Sequence, residues 1–260
     1  MYFNKAICDV YIGTGAGKKL MEEIENAKRS VKIVSPFLSP FLVKKLIDLH
    51  YRGVAVQLIT MDAIEDFYGD RPKNMHQLII QDRSIDKDAN ALRLKWINIK
   101  RWLYFFLIVM ILMLCIMAFI TWNRMVLWGG IPLILVWLLI RHYISKIRNA
   151  KIYQYTYRQL FPFKVFTTPN SQSYSHPFIH GKMYLIDDDI AYLGSLNFTG
   201  NGTKNNYETR IRITDRKAVK ELMGEFEALV HTRDYPEREL TEWGRELYEG
   251  YEIEICGNIN

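Results

Sequence analysis

The chain has 260 residues, 49% apolar and 24% charged, with a formal net charge of +6. That length could hold one large or two small globular domains. Three cysteines, Cys8, Cys115 and Cys256, stand far apart with no C-x-x-C pair and no histidine at ligand spacing. The pattern suggests neither a disulfide framework nor a zinc site, and it fits a reducing compartment.

The charge is unevenly spread. Residues 96–151 carry seven basic side chains and no acid, residues 1–95 net +3, and residues 152–260 net −4. The basic balance therefore belongs to the flanks of one apolar segment and not to a protein-wide basic face. It permits nucleic-acid binding without demanding it. Met1 to Val10 lacks an apolar run long enough for a signal peptide.

In chain order, Gly13-Thr14-Gly15-Ala16-Gly17-Lys18 is like a phosphate loop, but the spacing is one residue short and Lys19 stands where a Ser or Thr would hold magnesium. No strand of adequate length is expected before it, so it reads as a flexible turn ahead of a helix. Lys18 to Lys28 places apolar residues at 20, 21, 24 and 27, a helical period. Val31 to Val34 is a short strand stopped by Ser35-Pro36. Phe41 to Tyr51 is an amphipathic helix ended near Gly53, and Val54 to Ile59 is a second buried strand. This strand–helix–strand order predicts a parallel pair in a covered sheet.

Trp102 to Thr121 then runs twenty residues without a charge, and Met125 to Ile140 is a second apolar run. At ~1.5 Å per residue the first reaches ~30 Å, the hydrocarbon thickness of a bilayer. Trp102, Tyr104, Trp122, Trp128 and Tyr143 lie near the ends, as an interfacial aromatic belt would. The alternative, a helical hairpin buried in a soluble body, needs more protein around it than this chain supplies. Lys95, Lys100 and Arg101 precede the first run and Arg141, Lys146, Arg148 and Lys151 follow the second, with only Arg124 between. The positive-inside bias puts both ends in the cytoplasm.

Beyond the hairpin, Lys151 to Gln159 reads as the continuation of a polar helix, and Lys164-Val165-Phe166 begins a strand. Pro169 to Pro177 is a polar loop, His176 included, placed to form a rim. Arg210 to Ile213 is a further strand, and Ala218 to His231 an amphipathic helix with Leu222, Phe226 and Leu229 on one face. From Asp234 the chain is acidic and aromatic, a peripheral helix or partner-binding tail.

The stretch carrying chemistry is His180 to Asp187 followed by Gly194-Ser195-Leu196-Asn197, that is H-x-K, four residues, D, six residues, G-S-x-N. Strand side chains repeat every two residues, so His180 and Lys182 share a side. The apolar run Met183 to Ile186 is a buried strand, Asp187 to Asp189 a turn, and Ile190 to Leu193 a second strand that delivers Ser195 and Asn197 to the same end.

This spacing resembles the HKD motif of the phospholipase D superfamily at His180, Lys182, Asp187, Gly194, Ser195 and Asn197. The segments AKRSVKIVSPFLS and RGVAVQLIT are similar to the first half of a compact, single-motif domain of that superfamily, its endonuclease-like branch. The resemblance covers about 1–95 and 152–232. It implies an α/β fold with a mixed or parallel sheet flanked by helices, here interrupted by a two-helix transmembrane hairpin. The parts would be 1–98 and 146–232 for the catalytic domain, 99–145 for the hairpin and 233–260 for the tail.

The resemblance also implies a phosphodiesterase that needs no metal or cofactor. One histidine would attack phosphorus and form a phosphohistidine, and a second would act as general acid. Lys182 and Asn197 would hold the non-bridging oxygens. Glu208 occupies the place of a carboxylate that orients the histidine, with a solvated strand-edge charge as the alternative. Asp187 would stabilise its turn rather than move a proton, and Ser195 would either donate to phosphate or serve only the turn.

With one motif per chain, a homodimer pairing two copies of His180 is implied. The substrate is expected to be nucleic acid, with a phospholipid such as cardiolipin or phosphatidylglycerol as the alternative. An inactive membrane scaffold is a third possibility.

Overall fold

The structure, a computed structural model, describes residues 6–62, 78–122, 124–167 and 179–257. The chain divides into two units, residues 82–156 and the remainder.

The larger unit is built on a seven-stranded mixed sheet. Its strands are β1 (Cys8–Thr14), β2 (Ser30–Val34), β3 (Ala55–Met61), β6 (Phe163–Phe166), β7 (Met183–Ile186), β8 (Ile190–Gly194) and β9 (Tyr207–Ile213), in the order β1-β9-β8-β7-β2-β3-β6. The pairs β2–β3 and β3–β6 are parallel and the other four are antiparallel. This is the expected mixed α/β sheet, with the parallel pair where the strand–helix–strand reading put it.

Helices α1 (Lys18–Glu25) and α2 (Pro40–Tyr51) cover one face. Leu20, Ile24, Leu42 and Leu46 pack there on Val31, Ile33, Tyr184 and Tyr192. Helix α6 (Arg216–His231) covers the other, where Leu222 and Phe226 meet Met183, Leu185 and Ala191. The central strands β7 and β8 are apolar on both faces because both are covered.

Three sequence expectations are corrected. First, β1 is a seven-residue strand directly before the glycine-rich loop. It is an edge strand that, among the described residues, pairs only with β9, so one backbone ladder and not burial holds it, and its apolar Val10 and Ile12 are exposed. Second, Lys151 to Gln159 is no helix: Tyr153–Gln159 is strand β5. The alternating Tyr153, Tyr155 and Tyr157 are strand formers at a two-residue period, and β5 pairs with β4 (Ile79–Ile85) in a second sheet. Third, the segment after Arg233 takes the helix of its two sequence readings, but that helix packs into the core and does not lie at the periphery. Arg238 N–H donates to Val165 O and Thr167 N–H to Pro236 O, both at 2.9 Å, covering the β6 edge. In α7 (Leu240–Gly257), Trp243 is 2% exposed and meets Phe163 edge-on at 6.4 Å.

The smaller unit holds α3 (Lys87–Thr121), a single 35-residue helix, and α4 (Gly130–Arg148). Asp86 caps α3, accepting from the N–H groups of Asp88 and Ala89 at 3.0 Å. A 3-10 turn, Arg124–Gly129, joins the two helices. Both are long and apolar enough to cross a membrane. Most of their apolar side chains are exposed, Phe119 by 81% and Trp102 by 71%, while Val136 and Ile140 are buried.

Candidate active site

One edge of the large sheet collects the motif. Because β7 runs antiparallel to both β2 and β8, the start of β7 lies beside the ends of those strands: Val34 pairs with Met183, and Met183 with Leu193. Gly194 pairs with Arg210, which brings the start of β9 alongside. His180 with Lys182, Ser195 and Glu208 therefore converge from three stretches of chain. Lys182 and Glu208 point to the face that α1 and α2 cover, in register with Tyr184, Tyr192 and Arg210.

The Lys182 ammonium lies 3.0 Å from Nδ1 and 3.3 Å from Nε2 of His180, and donates to the His180 carbonyl at 2.7 Å. An ammonium has no acceptor, so of the two ring nitrogens it can bond only one that carries no proton. Lys182 is buried while His180 is exposed. Burial holds the Lys182 pKa below the usual lysine range, against the opposing pull of the Glu208 charge.

Glu208 is buried and is no solvated edge charge. One carboxylate oxygen accepts from the Ser195 hydroxyl and the other from Asn206 Nδ2 at 3.1 Å. The Ser195 Oγ in turn accepts the Thr209 N–H at 3.0 Å. A hydroxyl has one proton, and Glu208 takes it. Ser195 is thereby engaged in holding the carboxylate in this arrangement. Asn206 and Tyr184 were not singled out in the sequence. The Asn205-Asn206 pair ahead of a strand gave only a turn signal, and a tyrosine in an apolar run reads as core.

Asn197 sits on the loop after β8. Tyr184, fully buried, fixes that loop by donating from its hydroxyl to Leu196 O at 2.7 Å, and its burial pushes the phenol pKa up. Ser35 Oγ accepts the Phe198 N–H and Ser39 Oγ the Gly200 N–H, both at 2.9 Å. Asn197 Oδ1 is buried with no hydrogen-bonding partner among the described residues. Exchanging the two ends of that amide would put a donor, Nδ2, at the same place.

Asp187 is not at this site. It follows β7 where His180 and Lys182 precede it, and five residues of strand span roughly 16 Å. Its carboxylate accepts the N–H groups of Lys28, Arg29 and Ser30, at 2.6–3.1 Å. Asp187 and Asp188 take positive φ, 52° and 59°, as the turn from β7 to β8 requires.

Two glycines are fixed by close approach. A Cβ on Gly194 would fall 2.0 Å from Thr209 O, and one on Gly17 would fall 2.5 Å from Thr203 Cα. Gly17 N–H donates to Thr203 O at 3.1 Å, so the glycine-rich loop packs on the short helix α5 (Gly200–Lys204) that follows the motif. His176, expected on the rim, lies outside the described residues.

A buried ammonium against an exposed imidazole, backed by a hydrogen-bonded carboxylate at a sheet edge, is the outline of a phosphodiester-acting site. A family model described as "Cardiolipin synthase, PLD-like domain" matches residues 20–230, and the chain belongs to this phospholipase D-like family of phosphodiesterases.

Among curated proteins, the probable cardiolipin synthase YwiE of Bacillus subtilis (strain 168) is 28% identical over 88 residues. The match takes in 34% of this chain and 18% of that protein, so the chain spans under a fifth of that relative's length. Among solved structures, NucT from Helicobacter pylori superposes with a TM-score of 0.46 at 13% identity, over 90% of this chain and 100% of that one. The phospholipase D family member Nuc from Salmonella typhimurium gives 0.42 at 15% identity, over 89% and 99%.

Proposed function

We propose that this protein is a membrane-anchored nuclease that cleaves phosphodiesters through a phosphohistidine, with two copies of the chain completing one site. A ring nitrogen of His180 attacks phosphorus, the N–P bond forms and the P–O bond to the leaving group breaks. His180 of the partner subunit, protonated, gives its proton to the departing alkoxide. Water then attacks phosphorus, the partner's His180 takes the water proton, and the N–P bond breaks. Lys182 supports this by placing a cation beside the reacting phosphoryl group, and the Asn197 amide by its unpaired buried position.

The observation that carries the choice of nucleic acid is the make-up of the catalytic edge. Phe41 is 46% exposed with Lys204 5.8 Å above its ring, and Tyr207, beside Glu208, is 75% exposed. Lys18 and Lys19 are exposed at the start of α1, directly after the loop that packs on α5. Exposed rings interleaved with cations suit a single strand, whose bases stack while its phosphates are neutralised.

The second reading, a phospholipase acting on cardiolipin or phosphatidylglycerol, is favoured by the two apolar helices and by the cardiolipin synthase relative. Strands on both sides of the hairpin, β2 and β3 before it and β6 to β9 after it, share one sheet. That supports an even number of crossings. With basic residues at both flanks it supports two spans with the catalytic unit in the cytoplasm.

The test is a paired assay in EDTA with detergent-purified full-length protein. Labelled single-stranded DNA and RNA are one set of substrates, cardiolipin and phosphatidylglycerol vesicles the other, with His180→Ala as control. Nucleic-acid cleavage lost in His180→Ala is expected. Cleavage of lipid alone sinks the nuclease reading, and loss of all activity on chelation sinks the metal-independent mechanism.

A further inference from the structure

The hairpin carries more charge at its base than a membrane anchor needs, and that charge is unopposed. Between Asp88 and Asp187 the sequence has no acidic residue. Among the described residues no carboxylate lies within ion-pair distance of Lys95, Lys100, Arg101, Arg141, Lys146 or Arg148.

These cations are ordered in levels. A Cβ on Gly129 would fall 2.3 Å from Leu114 Cδ1, and Lys146 Nζ lies 5.6 Å from the Trp96 ring centroid. Two such contacts fix α3 and α4 as antiparallel neighbours, and counting from them sets Arg101 level with Arg141. That level is where the apolar runs end. A second level, Trp96 with Lys146, lies about five residues below, roughly 7.5 Å along the helix. Each level pairs a cation with an aromatic ring: Arg141 lies 5.7 Å from the Trp137 centroid, and Lys146 also 5.9 Å from that of Tyr143. Tryptophan with arginine or lysine at the end of an apolar run is the chemistry of the lipid headgroup layer.

We propose that these two levels form a binding surface for the phosphates of anionic phospholipids, which holds the protein to anionic patches of the membrane independently of its active site. The proposal rests on the reading of residues 102–140 as two spans. The occupant is a lipid and not a free anion because the Arg101–Arg141 level adjoins exposed apolar side chains, Trp102 and Trp137, that a soluble phosphate would leave uncovered.

The test uses full-length His180→Ala protein, so that bound lipid is not consumed, in dodecyl maltoside micelles with fluorescent phosphatidylglycerol or phosphatidylcholine. Phosphatidylglycerol should bind at least tenfold more tightly, and less so as salt is added. Removing two cations in Arg101→Gln/Arg141→Gln should weaken it about 25-fold, at about fivefold per charge. Arg101→Lys/Arg141→Lys, which keeps the charge, should bind as the parent does.

Equal binding of the two lipids, an unchanged Gln variant, or competition by millimolar glycerol 3-phosphate overturns the proposal. If the Gln variant does not fold, a 25-fold loss in the Lys variant overturns it instead. Alkaline carbonate extraction separates this outcome from the membrane reading. Release of the parent protein from membranes sinks the spans themselves, whereas retention with equal lipid binding sinks only the headgroup surface.

Discussion

Ser195 donates its hydroxyl proton to a hydrogen bond with Glu208 and accepts the backbone N–H of Thr209. The end of β8 is thus tied to the start of β9 through the buried carboxylate that faces Lys182. Ser195→Ala leaves one Glu208 oxygen without its donor inside the protein. A bond to a charged acceptor contributes about 1.5–3 kcal/mol. The expected outcome is a kcat lowered about tenfold or more with KM nearly unchanged, measured by steady-state kinetics. A rise in KM alone would mean the hydroxyl contacts substrate phosphate after all.

Lys182 makes a prediction in pH. Its pKa is lowered by burial despite the nearby Glu208 charge. The ammonium is the working form, so activity falls as pH rises through that lowered value. The alkaline limb of kcat/KM should lie below the ordinary lysine value of about 10.4. Lys182→Met should lose about 10²–10³-fold in kcat below that limb, the range for removing one transition-state donor, with the gap narrowing above it. In Lys182→Arg, whatever activity remains should show no such limb, because a guanidinium does not deprotonate.

Asp187 predicts an acid-side effect on stability with little on catalysis. Burial alone would raise its pKa, but the backbone N–H groups of Arg29, Lys28 and Ser30, with the Arg29 charge, outweigh that and hold it below the usual carboxylate value. A depressed carboxylate stabilises the fold fully above its unfolded pKa, about 3.9, and loses that contribution as pH falls through the lower folded value. Asp187→Asn should cost about 1–2 kcal/mol at neutral pH, discounted for its partial exposure. The gap from the parent in urea midpoints should close below pH 4. A gap that is constant from pH 7 to 3 would show that the carboxylate charge is irrelevant.

Gly194→Ala tests the geometry of the strand end. A methyl group there would sit 2.0 Å from a backbone oxygen with no flexible side chain to yield. The expected loss exceeds about 3 kcal/mol, read as a fall in melting temperature together with activity. A variant as stable as the parent would mean that β8 and β9 do not approach as described.

Much of this was legible beforehand, for physical reasons. Met183 to Ile186 is apolar on both faces and Val31 to Val34 is apolar but for Lys32, a pattern that suits a covered central strand, and both are found there. His180 and Lys182 could be paired from the two-residue strand period. What the sequence hid was set by tertiary contact. β1 has neither burial nor a strong pattern and exists because β9 offers it a ladder. The polar tyrosines of β5 look helical next to a basic helix end until β4 is placed beside them. Trp243 looked like a surface feature of an acidic tail because nothing local announces that Phe163 lies opposite. The engagement of Ser195 by Glu208 was equally invisible, since the two are thirteen residues apart and meet only across a strand pair.

The position of β2 between β3 and β7 carries a cost in time during synthesis. Of its two neighbours, β3 is made at once, but Met183 follows Met61 only after 121 further residues, the whole hairpin among them. At roughly 5–20 residues per second a ribosome leaves that strand edge open for about 6–24 s. The nascent amino-terminal third must wait, half-built, while both apolar helices are made, so the catalytic sheet cannot close before the chain between β3 and β7 is complete.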